Sequence, residues 1–209
     1  MGDTRRALVE AATEAFAEDG VFTASLVEVT RRAGQRNRGA VHYHFGSREG
    51  LLAAVLEQHA AFLAEREGEL LARARTTPDD DVESVLEAIV RPAVELAETG
   101  ASGRHYLVIV GQLVEEYDRV GDAVAEALRH TGGYAVYELL EQRMPKLDDS
   151  LRDERLTLIT GFILRSVADR ARAAQAPTPG RAQLPTGRFV RNLVAMAAAM
   201  ATAPPVDAG

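Results

Sequence analysis

Apolar residues in this chain recur at intervals of three and four from end to end, and nowhere does strict two-residue alternation run beyond a few positions. A repeat near 3.6 lines up side chains on one face of an α-helix, whereas a sheet face needs a repeat of two. No Asn-Gly hairpin turn occurs either, so the 209 residues read as an all-α protein of about nine helices.

Caps and glycines set the limits of these helices. The first runs from about Thr4 to Asp19 with Leu8, Ala12, Ala15 and Phe16 on one face, and Gly20 stops it. Ser25 caps a short second helix, Leu26 to Ala33, which Gly34 ends; a third covers about Gly39 to His44 and is closed by Gly46. Ser47 caps a long fourth helix reaching Arg75, whose broad face holds Val55, His59, Phe62, Leu63, Arg66 and Leu70. A fifth is expected to take Thr77 as cap and Pro78 as its first residue, with a kink at Pro92. Helices over about 102–117, 122–143, 149–175 and 187–203 complete the chain, the second of these interrupted at Gly132 and Gly133. A Pro- and Gly-containing loop precedes the last helix, and residues 204–209 read as a disordered tail.

Charge is unevenly distributed. The net charge is −7, which argues against a protein that coats nucleic acid over its whole surface. Yet residues 23–48 hold five Arg against the single acidic residue Glu28. With no cysteine in the chain, disulfides, thiolate metal sites and cysteine nucleophiles are excluded. No stretch reaches the roughly 18 uninterrupted apolar residues of a membrane span, and the N-terminus lacks the layout of a signal peptide, so a cytoplasmic location is expected. Catalytic signatures are missing too. No histidine follows a glutamate by three, the only lysine, Lys146, follows a proline, and neither Gly-x-Ser-x-Gly nor His-Glu-x-x-His occurs. The reading is therefore of a non-enzyme without a cofactor. His42 and His44 are no metal pair, because residues two apart on a helix do not face each other.

Two short helices joined by a glycine-containing turn behind a third form a helix-turn-helix unit, whose second helix enters the major groove. Arg36 and Arg38, just ahead of that helix, present donor forks suited to guanine or phosphate, and Asn37 adds an amide. Gly39 and Val41 are small enough for the backbone to approach the bases closely. His42, Tyr43, His44 and Arg48 each offer a donor to phosphate.

"SLVEVTRRAG" followed by "AVHYHFGSREGLL", within residues 4–56, resembles the N-terminal signature of the TetR/AcrR family of bacterial transcriptional regulators. The connection after Gly34 is one residue longer than that family's usual pattern, which resembles a subgroup with the longer turn, and Val41-His42 stands where Leu-Tyr is commoner. The resemblance implies that Ser25, Tyr43, His44 and Arg48 contact phosphate, that the third helix reads double-stranded operator DNA, and that Phe45 anchors the core. It further implies an all-α homodimer whose C-terminal part binds a small-molecule effector that releases the DNA. On that basis residues 1–48 are the DNA-binding head and 49–203 the ligand-binding and dimerisation body. Pocket candidates within the body are His59, Phe62, Arg66 and Tyr106, with Tyr134, Tyr137, Phe162 and Arg165 from later helices.

The last helix is apolar almost all round and needs partners on two sides, which a subunit interface provides. Phe189, Leu193, Met196 and Met200 from this helix, with Ile159, Ile163 and Val167 from the one before, are the expected interface, two helices from each chain forming a four-helix bundle. The competing reading is a helical protein-interaction adaptor, or a member of the same family without DNA binding.

Overall fold

A computed structural model describes residues 2–175 and 182–205 of the chain. Ten α-helices lie among the described residues: α1 (Asp3–Asp19), α2 (Leu26–Arg32), α3 (Ala40–Phe45), α4 (Arg48–Ala74), α5 (Val82–Glu98), α6 (Ala101–Glu115), α7 (Asp122–Arg129), α8 (Gly133–Arg143), α9 (Asp149–Gln175) and α10 (Thr186–Thr202). The extra helix beyond the nine expected comes from the span 122–143, which divides into α7 and α8 at Gly132. There φ is +92°, a left-handed conformation that breaks the hydrogen-bond ladder and suits glycine. The expected tail residues 206–209, and the loop residues 176–181, lie outside the described part.

Local chemistry accounts for the helix ends. Ser25 and Ser47 accept hydrogen bonds from the backbone N–H groups of Glu28 and Gly50, at 3.4 and 3.0 Å, and so start α2 and α4. The start of α5 differs from expectation: Asp81, not Thr77, is its cap, accepting from Ser84 N at 3.0 Å. Thr77 is instead engaged with the helix before it, its hydroxyl donating to Ala74 O at 2.8 Å. Pro92 lies buried inside α5, which continues through it.

Helices α1 to α3 form a small head that packs on the first turns of α4 and on α6. Helix α4 then runs 27 residues, about 40 Å at 1.5 Å per residue, into a body where it meets α5, α7 and α8. Behind it α6 lies against α9, and α10 packs on α5 and α9. The α6–α9 approach is close at Gly111, where an added Cβ would meet Ala168 Cβ at 2.7 Å. This packing redirects three residues expected at a subunit interface. Ile159, Ile163 and Val167 are at most 1% exposed within a single chain, so they form intramolecular core. Leu193 is likewise buried, whereas Phe189 and Met200 are half-buried and Met196 is 47% exposed. The sequence period alone does not tell the inner stripe of α9 from its outer one.

Polar contacts fix the head to the body around the peptide of Val21. Its N–H donates to Gln112 Oε1 of α6 at 2.9 Å, and its carbonyl accepts from Arg48 Nη1 at 3.1 Å. Arg119, between α6 and α7, lies 4.0 Å over the Phe22 ring. Ala123 N, at the start of α7, donates to Glu49 Oε1 at 3.2 Å. At the far end of α4 the buried Arg143 donates to Ala74 O at 2.7 Å, Asp81 O at 2.8 Å and Thr77 Oγ1 at 3.1 Å, satisfying the end of α4 and the connection to α5 together. Arg143→Met keeps most of the packing volume but strands these acceptors in the interior. We expect it to cost about 2–3 kcal/mol of stability, measured as a lower urea midpoint with an unchanged slope.

Candidate nucleic-acid interface

The turn between α2 and α3 is built by residues that cannot all serve as base readers. Gly34 takes φ +68°, and Asn37 Oδ1 accepts from Gly39 N at 2.9 Å, so the Asn37 side-chain oxygen closes the turn just before α3 and leaves its amide nitrogen as the free group. Gly39 is exposed at the head of α3. Ala40 and Val41 are 5% and 4% exposed and face the core. Val41 is therefore no base contact: it sits on the inner side of a six-residue helix, where the head needs an apolar anchor. The outer side presents His42 and Tyr43, with Tyr43 83% exposed and its ring edge-on to the half-buried His44, centroids 4.9 Å apart. Phe45 packs partly buried against the core, covered by Arg5 at 5.0 Å from its centroid.

The positive charge of residues 23–48 resolves into two kinds. Arg31 donates to Glu28 at 2.7 and 2.6 Å, and Arg32 reaches Glu18 at 2.8 Å and Glu28 at 3.2 Å. These two arginines hold the Glu28 carboxyl down to about 2, so both guanidinium groups are balanced by a carboxylate at neutral pH. Arg48 is half-buried beside the Phe16 ring and donates to Val21 O and, at 2.6 Å, to Ala24 O. The expected phosphate role of its side chain gives way to bracing the loop between α1 and α2, whose carbonyls have no helical partner. Burial lowers its pKa without a compensating carboxylate. Arg36 and Arg38 remain, both exposed and making no ion pair among the described residues, on the turn that leads into α3. Ser25 is exposed nearby, its oxygen accepting from Glu28 N and its proton left to donate. The surface that results carries Arg36, Arg38, His42, Tyr43 and Ser25, a combination suited to phosphates and base edges.

Residues 8–55 match the family described as "Bacterial regulatory proteins, tetR family", and residues 87–200 match "Tetracyclin repressor-like, C-terminal domain". The chain belongs to the TetR family. Over 127 residues, 60% of its length, this TetR-family protein is 30% identical to the HTH-type transcriptional regulator SrpR of Pseudomonas putida, and the match spans 54% of that relative, about half of it. It is also 30% identical over 127 residues to the uncharacterized HTH-type transcriptional regulator TtgW of the same species, covering 86% of that chain. The solved structure of AibR in complex with isovaleryl coenzyme A and operator DNA has the same fold, with a TM-score of 0.58 at 18% identity over 92% of this chain and 97% of that one. No described helix is long and apolar enough to cross a membrane.

The body residues singled out in the sequence divide into inner and outer sets. His59 shares a 3.0 Å hydrogen bond with Ser102 Oγ and stands edge-on to the buried Tyr106, centroids 5.3 Å apart; burial lowers its pKa. Phe62, Tyr137 and Phe162 are half-buried against the core. Tyr134, 56% exposed, faces outward, and Arg165 pairs on the surface with Glu115 at 2.9 Å, so neither lines an interior site. Arg66 is also turned out, paired with Glu69 and, at 2.8 Å, with Glu95 of α5. The polar residue that α4 does bury is its neighbour Glu67, 6% exposed. A spacing of four from His59 through Leu63 reaches Glu67, not Arg66, and that register is the signal in the sequence that identifies it.

Desolvation alone raises the Glu67 carboxyl to about 8. Below the unfolded value near 4.5 the group is neutral in both states; between 4.5 and about 8 only the folded chain keeps the proton, so stability declines as pH rises through that window. Glu67→Gln stays neutral throughout. We expect the variant to gain on the wild type by roughly 1 kcal/mol per pH unit between pH 5 and 8, and to gain no more above that, as measured by urea unfolding across the range.

Proposed function

We propose that this protein is a homodimeric repressor of transcription that holds duplex operator DNA with its heads and releases it when a small molecule occupies the helical body. The observation that carries this reading is a tyrosine 83% exposed on α3, beside two arginines without carboxylate partners, in a chain of net charge −7. Such an aromatic and cationic surface has no structural role within the chain, and the remaining acidic surface would repel phosphates, so the head alone is favoured at the DNA. Arg36 and Arg38 supply the strongest contacts; Asn37 through its amide, Ser25, Gly39 through its backbone, His42, Tyr43 and His44 complete them. The longer turn of the subgroup carries these arginines ahead of the helix. Residues 1–48 act as the head and 49–203 as the body. The protein works in the cytoplasm, without catalysis and without a cofactor.

Dimerisation is assigned to the outer faces of α9 and α10. Leu158 and Met196 are 56% and 47% exposed there, with Met200 beside them, and a second copy would cover them by two-fold symmetry. Two heads then meet half-sites about 34 Å apart, one helical turn of DNA. The contacts of Gln112 with Val21 and Arg119 with Phe22 tie each head to α6 and the segment after it, and Glu49 with Ala123 ties the first turn of α4 to α7, so a ligand that shifts those helices changes the separation of the heads. Release requires the ligand to bind the mismatched arrangement more tightly than the matched one.

A gel shift with the DNA flanking the gene itself tests the reading. Replacing Arg36 and Arg38 together by alanine is expected to weaken binding at least tenfold and to lower the slope of log affinity against log salt by about 2; unchanged affinity would refute the assignment. Gln112→Ala removes the acceptor of the Val21 amide. It is expected to speed hydrogen exchange of that amide about tenfold, the effect of losing one hydrogen bond of about 1.4 kcal/mol, while DNA binding persists.

A further inference from the structure

Inside the body, Glu67 of α4, Tyr106 of α6 and Tyr137 of α8 come together behind the turn that joins α7 to α8. Glu67 and Tyr106 are 6% and 2% exposed. Glu67 Oε2 and Tyr137 Oη are both buried without a hydrogen-bond partner among the described residues. Thr160 lies beside Tyr137; its proton goes to Leu156 O at 2.7 Å and its oxygen can still accept from the phenol. The turn closes directly over the carboxyl: Glu67 Oε2 is 3.3 Å from the position a Cβ on Gly132 would take. A side chain there would press on the carboxyl, and φ at Gly132 is already left-handed.

Charged neighbours are engaged elsewhere. Arg66 is paired with Glu69 and Glu95 of α5, Arg129 of α7 with Glu126, and His59 is turned to Ser102 and Tyr106. The phenol of Tyr106 is raised by burial first and by the Glu67 charge second, and that of Tyr137 by burial, partly offset by the Thr160 hydroxyl, and then by the Glu67 charge, so both keep their protons. An orphaned buried acceptor of this kind is rare in a folded chain and costs stability. Here it lies near the phenols of Tyr106 and Tyr137, and tyrosine rings attract positive charge at their faces.

Resting on the reading of the body as a sensor, we propose that this cluster is the polar end of the effector site and that its ligand is an organic cation, an amine or quaternary ammonium with apolar substituents, for which Glu67 is the counter-ion. An anion would find no unpaired cation at the site, since Arg66 and Arg129 are matched to carboxylates, and its charge would oppose ionisation of Glu67; an apolar neutral molecule would leave the carboxyl unpaired. A cation instead stabilises the ionised carboxylate. Binding therefore drives the Glu67 proton to solvent: the cation and the protonated acid become an ion pair plus one free proton. The ligand reaches the site when the Gly132–Gly133 turn lifts, which also moves α7 and its contact with Glu49 in the first turn of α4.

Calorimetry on the full-length protein with benzyltrimethylammonium and the bulkier benzyltributylammonium tests this, with benzyl alcohol and phenylacetate as the uncharged and anionic counterparts. At least one cation is expected to bind, with affinity rising up to tenfold from pH 6.5 to 7.5 and up to one proton released per ligand, read from buffers of different ionisation enthalpy. Glu67→Gln is expected to lose at least tenfold in cation affinity while its operator binding without ligand stays as in the wild type. Failure of both cations to bind, equal binding of benzyl alcohol or phenylacetate, absence of proton release, or undiminished binding by Glu67→Gln would each overturn the proposal and leave the DNA-binding reading standing. Cation binding with proton release but no change in operator affinity would uphold the site and overturn its role as an effector switch.

Discussion

Two half-buried or buried guanidinium groups, one at each end of α4, are the interactions on which the rest of this molecule depends. Arg48 in the first turn gathers the carbonyls of Val21 and Ala24; Arg143 gathers those of Ala74 and Asp81 at the last turn. In both places the chain leaves a helix and its carbonyls face the interior with no ladder partner. A planar group with several fixed donors satisfies two or more of them at once. With both ends fastened, the 27-residue helix spans head and body as one continuous element.

The same economy of donors explains how an acidic protein presents a cationic surface. Of the five arginines between residues 23 and 48, Arg31 and Arg32 are matched to Glu28 and Glu18, and Arg48 is turned inward. Only Arg36 and Arg38 face solvent without a carboxylate, and they stand beside the exposed Tyr43. The potential of the head is thus concentrated on the turn and on one side of α3, while the body keeps the excess of negative charge. Phosphates approaching in any other orientation meet repulsion within a Debye length.

Inside the body the opposite arrangement holds. Glu67 has been taken out of water without a cation, and the Gly132 turn seals it in. A native chain seldom keeps such an arrangement for stability, since a neutral isostere would pack as well.

The helices, their serine caps and the glycine stops were legible in the sequence, because periodicity and capping depend on neighbours within four residues. So was the character of the turn at residues 34–39, where arginines cluster. What the tertiary structure alone decided is which side of each helix turns inward. Val41 and Arg48 look like DNA contacts in one dimension, yet packing draws the first into the core and unpaired carbonyls draw the second into a loop. Arg66 and Glu67 are adjacent; the spacing of four from His59 through Leu63 points to the acid, but an unpaired carboxyl in the interior is seen only once the helices close over it. Ile159, Ile163 and Val167 form a stripe suited to any apolar partner, and the fold buries them within the same chain. Local propensity is a property of short segments; burial is a property of where distant segments meet, and that is settled only when the whole chain closes on itself.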